Sequence, residues 1–227
     1  MAKEDLFSSI IPNFVAVLTN PTAFFRDMPK QGGYLQPLVF MVGMAFLTAV
    51  VMAALGMTGL GAPGMMAMGL AGIIILPVLV AVLGFVGAAI LFVIWKVMGS
   101  QENFETAYRC GAYAYAYAPV AALVGGIPYL GSAVGALWPM TLFALASIHV
   151  HGRTQKASWA VFGVLGVILA LISVGGEKTA RYMQKNAGNW QQQMESSFNK
   201  NGKEMSPEEA GKAVGDFLKG FQQSQDK

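Results

Sequence analysis

"RCGAYAYAYAPVAAL", residues 109–123, is the stretch on which the fold turns. Tyr113, Tyr115 and Tyr117 alternate with alanine, and alternation of period two marks a half-buried strand. Wound as a helix, the same residues sort differently. Arg109, Tyr113 and Tyr117 recur every fourth position and share one face, while Tyr108 and Tyr115, seven apart, share another. Between these ridges runs a stripe of small residues, Gly111, Ala114, Ala118, Ala122 and Gly125. The sequence on either side decides between the two readings.

That sequence is strongly apolar. Of 227 residues, 55% are hydrophobic and 12% charged, about half the charge of an ordinary soluble domain. No Asp, Glu, Lys or Arg occurs over 31–95, 110–152 or 157–176, tracts of 65, 43 and 20 residues. A spanning helix needs about 20 apolar residues to cross a hydrocarbon core of about 30 Å. The tracts therefore hold two, two and one crossings. The expectation is an all-α polytopic membrane protein with five transmembrane helices, near 37–57, 72–98, 107–127, 130–151 and 157–175. Residues 1–36 form an interfacial segment before this membrane domain of 37–176, and 177–227 a polar helical tail after it. The tyrosine stretch thus lies in the third span. Small residues there let a neighbouring helix approach closely. Pro119 removes a backbone donor and should kink the span, freeing the Tyr115 carbonyl for a tyrosine hydroxyl of another helix. Tyr117, about 15 Å into the layer at 1.5 Å per residue, lies too deep for an interfacial belt and needs a partner for its hydroxyl. The expectation is an interhelical hydrogen bond. Glu105, one turn before Arg109, is placed for a helix-surface ion pair with it.

Ahead of the spans, Leu6, Phe7, Ile10, Ile11, Phe14 and Leu18 fall on one face of a helix over 6–18. That face is expected to lie in the membrane interface. Asn20 and Pro21 read as the cap and first residue of a further helix. The tight "GGIPYLG" joins spans three and four as a hairpin, and Gly131 and Gly135 form a GxxxG pair. Trp95, Trp138 and Trp159 fall near span ends, where indole rings suit the headgroup boundary. In the tail, "SPEEAGKAVGDFLKGF" has the cap, the acidic first turn and the apolar stripe of an amphipathic helix.

Orientation follows from Lys and Arg in short loops. Lys3, Arg26, Lys30, Lys96, Arg109, Arg153 and Lys156 fall on one side, and the first and third loops have none. The N-terminus is therefore expected in the cytoplasm and the tail on the opposite side, although Lys178, Arg181 and Lys185 oppose this. Since residues 1–14 carry acid beside lysine and lack an apolar core with a cleavage site, they do not read as a cleaved signal peptide.

Sites of chemistry are scarce. His149 and His151 are a weak metal candidate, since two residues apart on a helix they point about 200° from each other. Met65, Met66 and Met68 fit an apolar loop better than a copper site. Cys110 is the single cysteine. No acid lies inside a predicted span, which counts against coupled ion transport. Hydrolase, nucleotide-binding and metal motifs are absent, as are basic runs interleaved with aromatics, so no enzyme, no cofactor and no nucleic-acid partner is expected. The candidate polar and packing cluster is Glu105, Arg109, Tyr113, Tyr115, Tyr117 and Pro119.

The ordered run of "NPTAFFRDMPKQGGYLQPLVF", "YRCGAYAYAYAPVAAL" and "IPYLGSAVGALW", with a His after the fourth span, resembles the Yip domain family of Ypt/Rab-interacting membrane proteins over about residues 18–175. The resemblance implies five spans with a cytoplasmic N-terminus. The short form is similar to prokaryotic members and implies the inner (plasma) membrane. Eukaryotic members work with small GTPases; here only "DLFSSI", residues 5–10, stands where their longer N-terminal region has an acidic–aromatic motif. The leading expectation is a scaffold that contacts lipid bilayer and organises partner membrane proteins or its own copies. The rival is a pore or carrier for a small solute or lipid, using the tyrosine-lined third span.

Overall fold

The structure is a computed structural model that describes residues 7–58, 65–199, 212 and 215, with side chains at 7–58, 72–186, 212 and 215. Two compact units divide the chain, Met1–Ala180 and Arg181–Lys227. The regular elements among the described residues are helices: α1 (Ile10–Thr19), α2 (Pro21–Asp27), α3 (Leu35–Thr58), α4 (Met65–Val97), α5 (Phe104–Ala114), α6 (Tyr117–Val124), α7 (Leu130–His149) and α8 (Gln155–Asn199). Asp5 and Leu6 of the N-terminal motif, the first-loop residues 59–64 and nearly all of the predicted tail helix lie outside the described residues.

Four helices are long and apolar enough to cross a membrane: Leu35–Thr58, Gly72–Val97, Leu130–His149 and Gln155–Asn186. They correspond to predicted spans one, two, four and five. The last does not stop at Gly175–Gly176, because α8 runs unbroken to Asn199. The third predicted span is not one helix. It divides into α5 and α6 at Tyr115–Ala116. The cause is Pro119, whose ring clashes with the carbonyl four residues back, that of Tyr115. The helix breaks there, and Pro119 falls in the first turn of α6, where a missing N–H costs little. The Tyr115 carbonyl then accepts from the Ala118 N–H at 3.0 Å rather than from a neighbouring tyrosine.

The cap expected at Asn20 forms, and a second, not anticipated, forms at Asn103. Asn20 Oδ1 accepts from the Ala23 N–H (3.2 Å) with Pro21 opening α2, and Asn103 Oδ1 accepts from the Thr106 N–H (2.9 Å) at the start of α5. The hairpin between α6 and α7 is tight enough that a Cβ on Gly131 would collide with the backbone of Gly125. Its partner in the GxxxG pair, Gly135, has open space where a Cβ would go.

Val17, Phe25, Phe40, Met44, Trp95, Tyr113, Leu142 and Phe162 form the main buried cluster. The three tryptophans expected at span ends do not share one environment. Trp159 is exposed and Trp138 half-buried, but Trp95 is inside the bundle at 1% exposure. By contrast, α1 presents three faces. Ile10, Phe14 and Val17 pack into the main cluster, Ser9, Asn13 and Ala16 line a cleft, and Ile11 and Val15, with Phe7 just ahead, point outward. The expected interfacial helix is therefore also docked on protein.

Candidate functional site

Residues 28–34, the strap between α2 and α3, have no secondary structure of their own. The first turns of α5 hold them. Arg109 donates from Nε to the Pro29 carbonyl (2.7 Å) and from Nη1 to the Gly33 carbonyl (3.0 Å). Glu105 accepts from the Gly33 N–H (2.7 Å), and Thr106 Oγ1 donates to the Lys30 carbonyl (3.1 Å). Lys30 pairs with Glu102 at 2.7 Å. The strap's backbone groups thus find partners 72–80 residues away in sequence instead of in a helix or sheet. The expected Glu105–Arg109 ion pair does not form, since both side chains are turned to the strap. Gly33, at φ +84°, supplies the left-handed backbone that lets its N–H and carbonyl meet both.

Arg109 is only 1% exposed, and its guanidinium lies 5.8 Å from the Tyr113 ring centroid. Tyr113 packs against Phe24 and Phe40 at 5.2 and 5.1 Å. Arg109 and Tyr113 floor a cleft of about 490 Å³ walled by α1, α2, the strap and Gln36 of α3.

The break at Tyr115–Ala116 separates Tyr117 from the Arg109–Tyr113 ridge, so the six-residue cluster does not come together as one site. Tyr115 packs on the cluster around Tyr108, as the seven-residue spacing implies, and Tyr108 stacks on Phe85 at 4.4 Å. Tyr115 and Tyr117 both line a second cleft, of about 530 Å³, with Ser132, Gly135 and Ser173. Neither tyrosine hydroxyl has a hydrogen bond among the described residues, so the interhelical bond expected of Tyr117 is replaced by exposure to this cleft. Pro119 is buried and lines neither.

His151 is buried and His149 half-buried. The His151 ring stacks on Trp95, with Nδ1 2.8 Å from Ser100 Oγ and Nε2 3.9 Å from Cys110 Sγ. Among the described residues no group of three or more His, Cys, Asp or Glu could hold a metal. Burial, and then the Lys30, Arg153 and Lys96 charges, push the imidazole down to about 3, so it is neutral at physiological pH. Arg153 fastens the same end of the bundle by donating to the Met98 carbonyl at 3.0 Å.

At the other end, Glu177 accepts from the Tyr129 N–H (3.2 Å) and from Ser132 Oγ. Tyr129 is the N-cap of α7 and has no side-chain cap of its own, so the carboxylate arrives from α8 at the positive end of that helix. Sequence reasoning passed over Glu177. Its one signal was position: it is the first charge after a 20-residue uncharged tract.

The Yip1 domain family model matches residues 15–175. The chain belongs to the Yip1-domain family. The match takes in the strap, its clasp, the tyrosine-lined cleft and the Trp95–His151 stack; it leaves out Ser9 and Asn13 of the cleft over Arg109 and ends two residues before Glu177. No curated protein and no solved structure matches the chain. As a Yip1-domain protein with at least four apolar helices of spanning length, the chain is an integral membrane protein in contact with lipid.

Proposed function

We propose that this Yip1-domain protein is a non-enzymatic membrane organiser. In this reading it crosses the bilayer five times and uses its interfacial N-terminal helix to engage lipid or partner membrane proteins. The observation that carries it is α1. One face is anchored through Val17 at 0% exposure, while Phe7 and Ile11 stand 68% and 72% exposed beside it. A docked helix that still presents large apolar side chains is built to rest on something apolar.

Five crossings are supported by the way α5 and α6 together run along α7. Cys110 of α5 meets His151 just past the end of α7, and Gly125 after α6 meets Gly131 at its start. The pair occupies residues 104–124, about 31 Å at 1.5 Å per residue, which suits one crossing. Lys30, Lys96 and Arg153 gather at the His151 end, and this supports a cytoplasmic N-terminus. Cysteine labelling from each side in a Cys110→Ser background tests the topology. Labels at residue 3 reached only from the cytoplasm, and labels in the tail only from the opposite side, are expected; a tail reached from the cytoplasm overturns five crossings.

To test the organiser role, a photo-crosslinking residue is placed at Ile11. Adducts of defined size with other membrane proteins are expected in addition to lipid. Lipid adducts alone would remove partner proteins from the reading.

A second reading is favoured by the tyrosine-lined cleft. Non-helical backbone at membrane depth is tolerated where it is buried or faces a polar cavity. The Tyr115–Ala116 break adjoins four hydroxyls, those of Tyr115, Tyr117, Ser132 and Ser173. That is a suitable groove for a small neutral solute or a lipid, and solute leakage from liposomes discriminates it from pure packing.

A further inference from the structure

The cleft over Arg109 holds donors that have no hydrogen-bond partner among the described residues. Arg109 spends Nε and Nη1 on strap carbonyls, and Nη2 has no hydrogen bond among the described residues. Its charge is nearly sealed from water, yet no carboxylate lies within 4.0 Å; the ion pairs among the described residues are Arg26–Asp27 and Lys30–Glu102. Glu105, the acid one turn away, is occupied by the Gly33 N–H. Around the same cleft, the Tyr113 hydroxyl and the side-chain amides of Asn13 and Gln36 also have no hydrogen bond among the described residues. Asp27 is on the lining, but it is turned to Arg26 at 3.0 Å in an exposed pair, where water screens its charge.

A buried guanidinium with only neutral acceptors is costly, and an oxyanion is the partner that suits it, because planar N–H donors match phosphate geometry. The surroundings select the source of that oxyanion. The wall formed by Ser9, Asn13 and Ala16 is one side of α1, whose neighbouring side carries exposed Phe7, Ile11 and Val15. A molecule entering there comes from the membrane surface with its acyl chains beside that apolar stripe.

We propose that this cleft binds the phosphate group of a phospholipid, held by Arg109 and Tyr113 on its floor and by Asn13 and Gln36 on its walls. The site goes beyond the organiser reading and needs only that α1 lie at the membrane surface. It makes the lipid headgroup a fourth element of the clasp, bridging α1, α3 and α5 beneath the strap.

The test uses the full chain, purified and delipidated in detergent. Thermal unfolding is followed with dihexanoyl phosphatidylglycerol, dihexanoyl phosphatidylcholine, dihexanoylglycerol or inorganic phosphate, each below its micellar concentration where it has one. A ligand that binds only the folded state raises the melting temperature with concentration. Both phosphate-bearing lipids are expected to raise it in a saturable way, and dihexanoylglycerol and inorganic phosphate are not. Inorganic phosphate acting as well as the lipids would replace the lipid by a free anion. Equal action by dihexanoylglycerol, or no shift with any probe, overturns the site. Arg109→Gln also loosens the strap, so the deciding variants are Asn13→Leu and Tyr113→Phe, which leave the clasp intact. Each is expected to weaken the lipid response about fivefold, the effect of one hydrogen bond, with the ligand-free melting temperature close to wild type. Unchanged responses in both variants would overturn the assignment. Failure here leaves the crosslinking and labelling results of the organiser reading untouched.

Discussion

Trp95 and His151 stack face to face, ring centroids 3.9 Å apart and planes within 20° of each other. They come from the end of α4 and the residue pair after α7, and they are among the most buried polar-edged side chains in the bundle. Because the imidazole is held neutral down to about pH 3, against an ordinary value near 6.5, the unfolded chain binds a proton there that the folded chain refuses. Stability tied to this group is complete above about 6.5 and is lost as pH falls towards 3.

The first prediction concerns that window. Between pH 7 and pH 5 the wild-type protein should lose about 2 kcal/mol through His151, from about 1.5 pH units below its unfolded value at 1.36 kcal/mol each. His151→Asn should be less stable at pH 7 and show a flatter profile. Melting curves in detergent across the range check this, and parallel profiles for the two proteins would assign the acid loss elsewhere.

Gly131 and Gly135 should separate cleanly. Gly131→Ala puts a methyl into the Gly125 backbone and should cost at least about 1–3 kcal/mol, since backbone cannot swing aside like a side chain. Gly135→Ala meets open space and should be neutral or slightly stabilising. Melting temperatures of the two single variants decide it; equal losses would mean that the GxxxG pair acts as a unit.

Tyr117 distinguishes packing from passage. Its hydroxyl faces the cleft, so Tyr117→Phe should unfold like wild type, whereas Tyr117→Ala should lose about 3 kcal/mol or more through the missing ring. Solute leakage from loaded liposomes is then measured for both. Leakage altered by Tyr117→Phe at unchanged stability would favour the pore or carrier reading over the organiser.

Two substitutions on α1 should fail in different ways. Ile11→Asp places a charge on the outward face and should free the segment from liposomes without unfolding the bundle. Phe14→Asp places it against the core and should lower the melting temperature itself. Protease protection of the segment in proteoliposomes, read beside thermal unfolding, tells them apart. Retained membrane protection in Ile11→Asp would make α1 a purely protein-docked helix.

The membrane character was legible because charge is excluded from lipid over long tracts, a property of composition that needs no tertiary information. The cap at Asn20 acts within three residues and was equally open to reading, as was the hairpin around Gly125 and Gly131. Pro119 announced a kink, but the helix opens four residues earlier, where the ring meets the Tyr115 carbonyl. That displacement is what moves Tyr117 off the ridge of Arg109 and Tyr113. The clasp was hidden for another reason. Periodicity offered Arg109 a partner at Glu105, one turn away, while its actual acceptors are carbonyls 76 and 80 residues distant in a strap with no pattern of its own. Trp95 likewise sits near a span end, where the general rule puts indoles at the headgroups, and only the packing of α4 beside the His151 turn draws it inside.

Glu177 gives the chain a sense of time. The N-terminus of α7 receives this carboxylate from a residue 48 positions further along. At about 5–20 residues per second, the ribosome delivers it several seconds after the Tyr129 turn has been made. During that interval the start of α7 lacks this acceptor, while the glycine hairpin already holds it against α6. This tie therefore forms only once about half of the last long helix has been made. A chain halted shortly before Glu177 would contain every uncharged tract and still lack the tie from α8 to the start of α7.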